Sequence, residues 1–184
     1  TTMLQYTYSH AKANSQYDGA AFGSVYVDAP SQEYTMPYDR THDASVTLFT
    51  VLPFGIMTSF TGFYQSGAPY TPMIFNGDKP EQDVKNKYTK RGPAYKNTNM
   101  SLSKYISMDK LRLTLGLNIF NVLNSNNAWD VWPLTGKSDD PGDYYTDEVA
   151  LPAEGGSLSS SFYDMPWFYA PPRQINFFVK IEFK

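Results

Sequence analysis

The chain has 184 residues, enough for one ordinary domain, with 15 basic and 18 acidic side chains and a formal net charge of −3. That mild acidity argues against general binding to a phosphate backbone, so no nucleic-acid partner is expected. Cysteine is absent, which excludes a disulfide scaffold and any cysteine-held metal. Aromatic residues make up 16% of the chain, with 15 Tyr and 12 Phe, a content that fits girdles of aromatics at two membrane interfaces. No apolar run is long enough for a transmembrane helix, but a membrane strand needs only about 9 to 11 residues.

Six strands follow from period-2 alternation. The first spans about Thr2 to Ser9, with Leu4, Tyr6 and Tyr8 on one face and Met3, Gln5 and Thr7 on the other. The second runs from about Asp43 to Leu52, the third from Ile56 to Gln65 and the fourth from Asn97 to Ile106. The fifth, KLRLTLGLNIFN from Lys110, puts Leu111, Leu113, Leu115, Leu117 and Ile119 against Arg112, Thr114, Gly116 and Asn118. The sixth, RQINFFVKIEFK from Arg173, puts Ile175, Phe177, Val179, Ile181 and Phe183 against Gln174, Asn176, Lys180, Glu182 and Lys184. Phe178 is the one apolar residue on its polar face.

The connections alternate in length. LPFGI and SMDK are tight turns, whereas about His10 to His42, Gly67 to Lys96 and Leu123 to Pro172 are long and rich in Gly, Pro, Asp, Asn and Ser. Three long loops alternating with tight hairpins are unusual in a compact domain. They are expected of an outer-membrane barrel, with short periplasmic turns and long outer loops. An even strand number then leaves both chain ends on the periplasmic side. The opening TTMLQYTYSH has no leader pattern and reads as the middle of a structure, so a piece of a longer product is expected.

Four segments carry a family resemblance. Tyr38 to Gly55, YDRTHDASVTLFTVLPFG, and Phe60 to Pro72, FTGFYQSGAPYTP, resemble strands near the C-terminus of TonB-dependent outer-membrane receptors. Asn99 to Asn127, containing NIFNVLN, resembles their penultimate hairpin, and PPRQINFFVKIEF their closing strand, with Phe183 one place before the end. The carboxypeptidase-regulatory-like and SusC-like glycan-importer subgroups are the nearest in flavour. The resemblance implies an all-β, transmembrane antiparallel β-barrel of 22 strands, of which residues 1–184 would supply the last six or so. The N-terminal plug and the remaining strands would lie upstream. It further implies energy-coupled import across the cell outer membrane. The implied partners are the TonB complex through the missing N-terminal region, the plug and remaining barrel strands, a surface lipoprotein lid, and outer-membrane lipid. Leu113, Leu115, Ile175 and Phe177 would face lipid, and Arg112, Thr114 and Asn176 the lumen.

The last long loop holds the candidate sites. Trp129, Trp132, Tyr144, Tyr145, Trp167 and Tyr169, with Phe162, Tyr163 and Phe168 beside them, are candidates for ligand contact, because aromatic faces stack on sugar rings or peptides. Packing within a loop of this length competes with that role. Asp139, Asp140 and Asp143, followed by Asp147 and Glu148, offer oxygen ligands at short spacing for a structural Ca²⁺, against the plainer reading of a solvated acidic loop. His10 and His42 flank one long loop and either meet at a metal or hydrogen-bond locally, and Asp39, Arg40 and Asp43 suggest a network of charge pairs at the loop base. No GxSxG, HExxH or phosphate-binding glycine loop occurs, so no enzyme activity is expected and no catalytic residue is assigned. Two further readings stand beside import: a non-transporting surface barrel or adhesin-like binding protein, and a soluble carbohydrate-binding β-sandwich.

Overall fold

The computed structural model describes residues 1–14, 33–149 and 165–183. Strands follow in the order β1 (Thr2–Tyr8), β2 (Lys12–Ala13), β3 (Tyr34–Thr35), β4 (His42–Leu52), β5 (Ile56–Gln65) and β6 (Pro69–Tyr70). Then come β7 (Met73–Asn76), β8 (Lys79–Gln82), β9 (Lys90–Arg91), β10 (Tyr95–Ser107), β11 (Leu111–Phe120) and β12 (Gln174–Phe183). The six long strands form one antiparallel sheet in the order β1-β4-β5-β10-β11-β12. The short ones form three two-stranded ribbons, β2-β3, β6-β9 and β7-β8. The alternating segments of the sequence are the six long strands.

Register explains why these segments pair. Leu48, Phe60, Met100, Ile119 and Ile175 stand opposite one another in a row across five strands. Leu102, Leu117 and Phe177 continue the same face one step on. The opposite face carries Ser59, Ser101, Asn118 and Asn176 in one row, where the Ser101 hydroxyl donates to Asn118 Oδ1 at 2.7 Å. Cross-strand pairs of this kind contribute roughly 0.2–1 kcal/mol each, and a one-residue slip would bring every leucine to the polar side. Phe178, the exception on the polar face, stands directly opposite Gly116, and its ring fills the volume that a Cβ there would occupy. The two irregularities are one packing solution.

The tight turns follow their residues. Pro53 opens the first, and Phe54 and Gly55 both take positive φ, 66° and 70°, the mirror-image turn that suits a twisted hairpin. In the second, the Met108 N–H donates to the Leu111 carbonyl at 2.9 Å. Both turns lie at one end of the sheet and the three long connections at the other.

The sheet is open. β1 pairs with β4 and β12 with β11, and the two edge strands lie at opposite sides of the sheet. The expected closing segment of a 22-stranded transmembrane barrel is therefore corrected to an all-β architecture of one open sheet and three ribbons. The physical reason is that alternation fixes which face is apolar but not whether the edges meet. The expected contacts with a TonB complex, plug, remaining strands, lipoprotein lid and outer-membrane lipid lose their ground. So do the outer-membrane location and the periplasmic C-terminus. Separately, no helix among the described residues is long and apolar enough to cross a membrane. Leu4, Ile175, Phe177, Val179 and Ile181 are exposed on the apolar face. The one large apolar side chain buried completely among the described residues is Met36, at the loop end.

Candidate functional site

The loop end is where polar burial, ion pairing and aromatic packing concentrate. Its base is held by the first and second long connections. Asp39 has a fully enclosed carboxylate that accepts from the Arg91 guanidinium, from the Ala11 N–H at 2.5 Å and from the Thr41 hydroxyl at 3.1 Å. Burial works to raise the Asp39 pKa, but the hydrogen bonds from Arg91, Ala11 and Thr41 and the Arg91 charge outweigh it and hold the carboxyl below its ordinary value. Arg91 also donates to the Gly67 carbonyl at 3.0 Å, so the pair ties two loops together. Asp39 and Arg40 were expected in a rim network. Arg91, 52 residues from Asp39, was not, and no local spacing signals it. Asp43 accepts from Gln65 at 2.6 Å.

Two asparagines root the third connection. Asn127 is buried, and its side-chain amide accepts from the Lys96 N–H at 2.8 Å and donates to the Lys96 carbonyl at 2.7 Å, copying a strand pairing. Asn121, at φ 52°, accepts from the Ser125 N–H at 2.9 Å and donates to the Ser125 carbonyl at 3.0 Å. Asparagine is the side chain that both tolerates the left-handed region and mimics a peptide group. Their recurrence in NIFNVLNSNN was a readable signal for this clasp.

Above that base the six aromatic candidates divide. Trp132 packs against Tyr145 at 6.1 Å and Phe168 at 5.4 Å between ring centroids, and Tyr144 meets Tyr145 at 5.4 Å and Phe75 at 5.8 Å. The Tyr145 hydroxyl points to Met73 Sδ at 3.6 Å, and the Met73 N–H donates to the Pro133 carbonyl at 3.0 Å. These rings join the third connection to ribbon β7-β8. Trp129 and Trp167 are different: their side chains stand out, at 68% and 70% exposure. Both sit on a braced backbone. Ala128 bridges Tyr169, the N–H groups of Trp129 and Asp130 donate to the Phe168 carbonyl, and the Ala170 N–H donates to the Asn127 carbonyl. Tyr169 is half-buried in that ladder. Phe162 and Tyr163 lie outside the described residues.

The acidic candidates do not converge. Asp140 accepts from Lys137 Nζ at 3.0 Å and from the Gly142 N–H at 3.0 Å; the Lys137 hydrogen bond is the main cause holding its carboxyl below the ordinary value. Asp139 and Asp143 are exposed, and the side chains of Asp147 and Glu148 lie outside the described residues. No His, Cys, Asp or Glu cluster among the described residues is placed to hold a metal ion. The histidines hydrogen-bond locally: Tyr6 Oη lies 2.8 Å from His42 Nδ1, and Tyr8 Oη 2.9 Å from His10 Nε2.

No protein-family model, curated protein or solved structure matches this chain. The resemblance to TonB-dependent receptors, and the energised import it implied, are corrected by the sheet, which does not close.

Proposed function

We propose that this chain is a non-catalytic binding domain whose contact surface is the loop end of the sheet, and that Trp129 and Trp167 stack on the rings of a carbohydrate ligand. The observation that carries this reading is the division among the aromatics. Trp132, Tyr144 and Tyr145 supply the loop's own packing, while Trp129 and Trp167 are held out by a backbone ladder. An exposed indole gains nothing from the fold, but it offers a large rigid face at low side-chain entropy cost. The C–H face of a sugar ring packs on such a surface, and the indole N–H reaches a ring hydroxyl.

The test is tryptophan fluorescence during titration with neutral hexasaccharides of glucose, xylose and mannose. A saturable shift that is lost in Trp129→Ala and Trp167→Ala, with unchanged circular dichroism, supports the reading. Binding that survives both substitutions, or no binding to any of these glycans, overturns it. Trp132→Ala serves as the control, because it should lower stability whether or not a ligand binds.

A further inference from the structure

Between the first and second long connections lies a cavity of about 310 Å³. Lys12, Glu33, Tyr34 and Thr35 of the first connection line it on one side, and Lys85, Lys87 and Thr89 of the second on the other. We propose that this cavity binds an acidic sugar, with the carboxylate of a uronate residue on Lys12, Lys85 and Lys87 and the face of its ring against Tyr34.

Charge is the first argument. The chain as a whole is acidic, yet three lysines meet one glutamate here. Among the described residues none of the three forms an ion pair with a carboxylate. Like charges gathered around one concavity repel one another, and an anion between them removes that cost. Rigidity is the second. Lys85 and Lys87 project from a turn braced by Asp83, whose carboxylate accepts from the Asn86 N–H at 3.2 Å and from Asn86 Nδ2 at 2.7 Å. The Thr89 hydroxyl donates to the Asn86 carbonyl at 3.0 Å. Lys12 is on β2, paired with Thr35 of β3. The third argument is the aromatic wall. Tyr34 stacks on Tyr88 with centroids 5.9 Å apart and planes 21° from parallel, and Lys87 Nζ sits 5.5 Å from the Tyr34 ring centre. The Lys87 ammonium lies over the Tyr34 ring, so a carboxylate that draws it aside leaves an aromatic face for a flat C–H surface next to the charge. A bare inorganic anion has no use for Tyr34. The volume lies at the low end of the roughly 300–1,000 Å³ of small-molecule sites, which suits one or two sugar rings.

The residues differ from those of the tryptophan surface, so the two proposals stand or fall separately. The experiment is calorimetric titration with tetragalacturonate, its neutral methyl ester and inorganic phosphate. The acid form should bind, the ester should not, and Lys85→Gln/Lys87→Gln should weaken binding at least tenfold, as should Lys12→Gln to a lesser extent. Tyr34→Ala should weaken the sugar acid several-fold and leave phosphate unaffected, while Trp129→Ala/Trp167→Ala leaves the affinity unchanged. Equal binding of acid and ester overturns the role of the lysines. Phosphate binding as tightly as tetragalacturonate, with Tyr34→Ala silent, reduces the cavity to an unspecific anion patch and overturns the sugar assignment. No binding of the acid at low salt overturns the whole.

Discussion

Removing the Asp39 carboxylate should open the base of the loops without unfolding the sheet. In Asp39→Ala three donors lose their acceptor: the Arg91 guanidinium, the Ala11 N–H and the Thr41 hydroxyl. Breaking a fully buried ion pair by deleting one partner costs about 3–5 kcal/mol, and a hydrogen bond to a charged group contributes about 1.5–3 kcal/mol. Arg91 is 32% exposed and keeps its bond to the Gly67 carbonyl, so water compensates part of the loss. The expected cost is about 2–4 kcal/mol, taken from local opening and not from the sheet. Amide exchange at Ala11 reads it directly, and protection should fall by about 30- to 700-fold at about 1.4 kcal/mol per factor of ten. Asp39→Asn, which keeps one acceptor oxygen, should fall between the variant and the wild type. The pH dependence has a definite sign. Because the folded-state pKa is depressed, the stabilisation is complete above the unfolded value near about 3.9 and is lost as pH falls through the lower folded value. An Ala11 amide equally protected in Asp39→Ala and wild type would refute this account. So would a double-mutant cycle with Arg91→Ala giving a coupling below about 0.5 kcal/mol.

Gly116→Ala should destabilise the sheet by about 1–3 kcal/mol in chemical denaturation, because the new Cβ displaces the Phe178 ring from its seat. In a Phe178→Ala background the same substitution should be neutral or stabilising; equal costs in both backgrounds would show that the ring is not seated there. Asn127→Ala should cost about 2–4 kcal/mol, since the Lys96 N–H and carbonyl each lose a buried partner. The check is the exchange rate of the Lys96 amide, which should rise only slightly if water replaces the side chain without penalty.

Period 2 made the sheet legible. The repeats of Leu111 to Ile119 and of Ile175 to Phe183 name both strands and their apolar faces, and the short SMDK turn names the pairing of β10 with β11. Phe178 and Gly116 look like noise in two separate patterns and become one contact only when the register is known. Closure was not legible at all. A leucine row reads the same whether its face meets lipid, another layer or water, and the edge strands carry no residue that says whether they meet. The Asp39–Arg91 tie was hidden for a different reason: its partners sit in two irregular connections, and no periodicity links positions in separate loops.

The aromatics of the third connection set the sharpest limit on what composition can reveal. Trp129 and Trp132 are three residues apart, are chemically identical and lie in the same loop. Trp132 is half-buried because Tyr145 and Phe168 come to it, and Tyr145 is in turn tied to Met73 of β7, 72 positions away in the chain. Trp129 is exposed because its backbone is fixed by the Phe168 carbonyl, leaving the side chain no route inward. Packing and contact thus draw on the same residue type, and the difference is made by distant chain segments. The consequence is experimental. Substituting Trp132 should lower stability and, through the loop, any affinity, whereas substituting Trp129 should lower affinity alone. A pair of variants that changed stability and affinity in the same proportion would mean that both indoles belong to the loop's own packing.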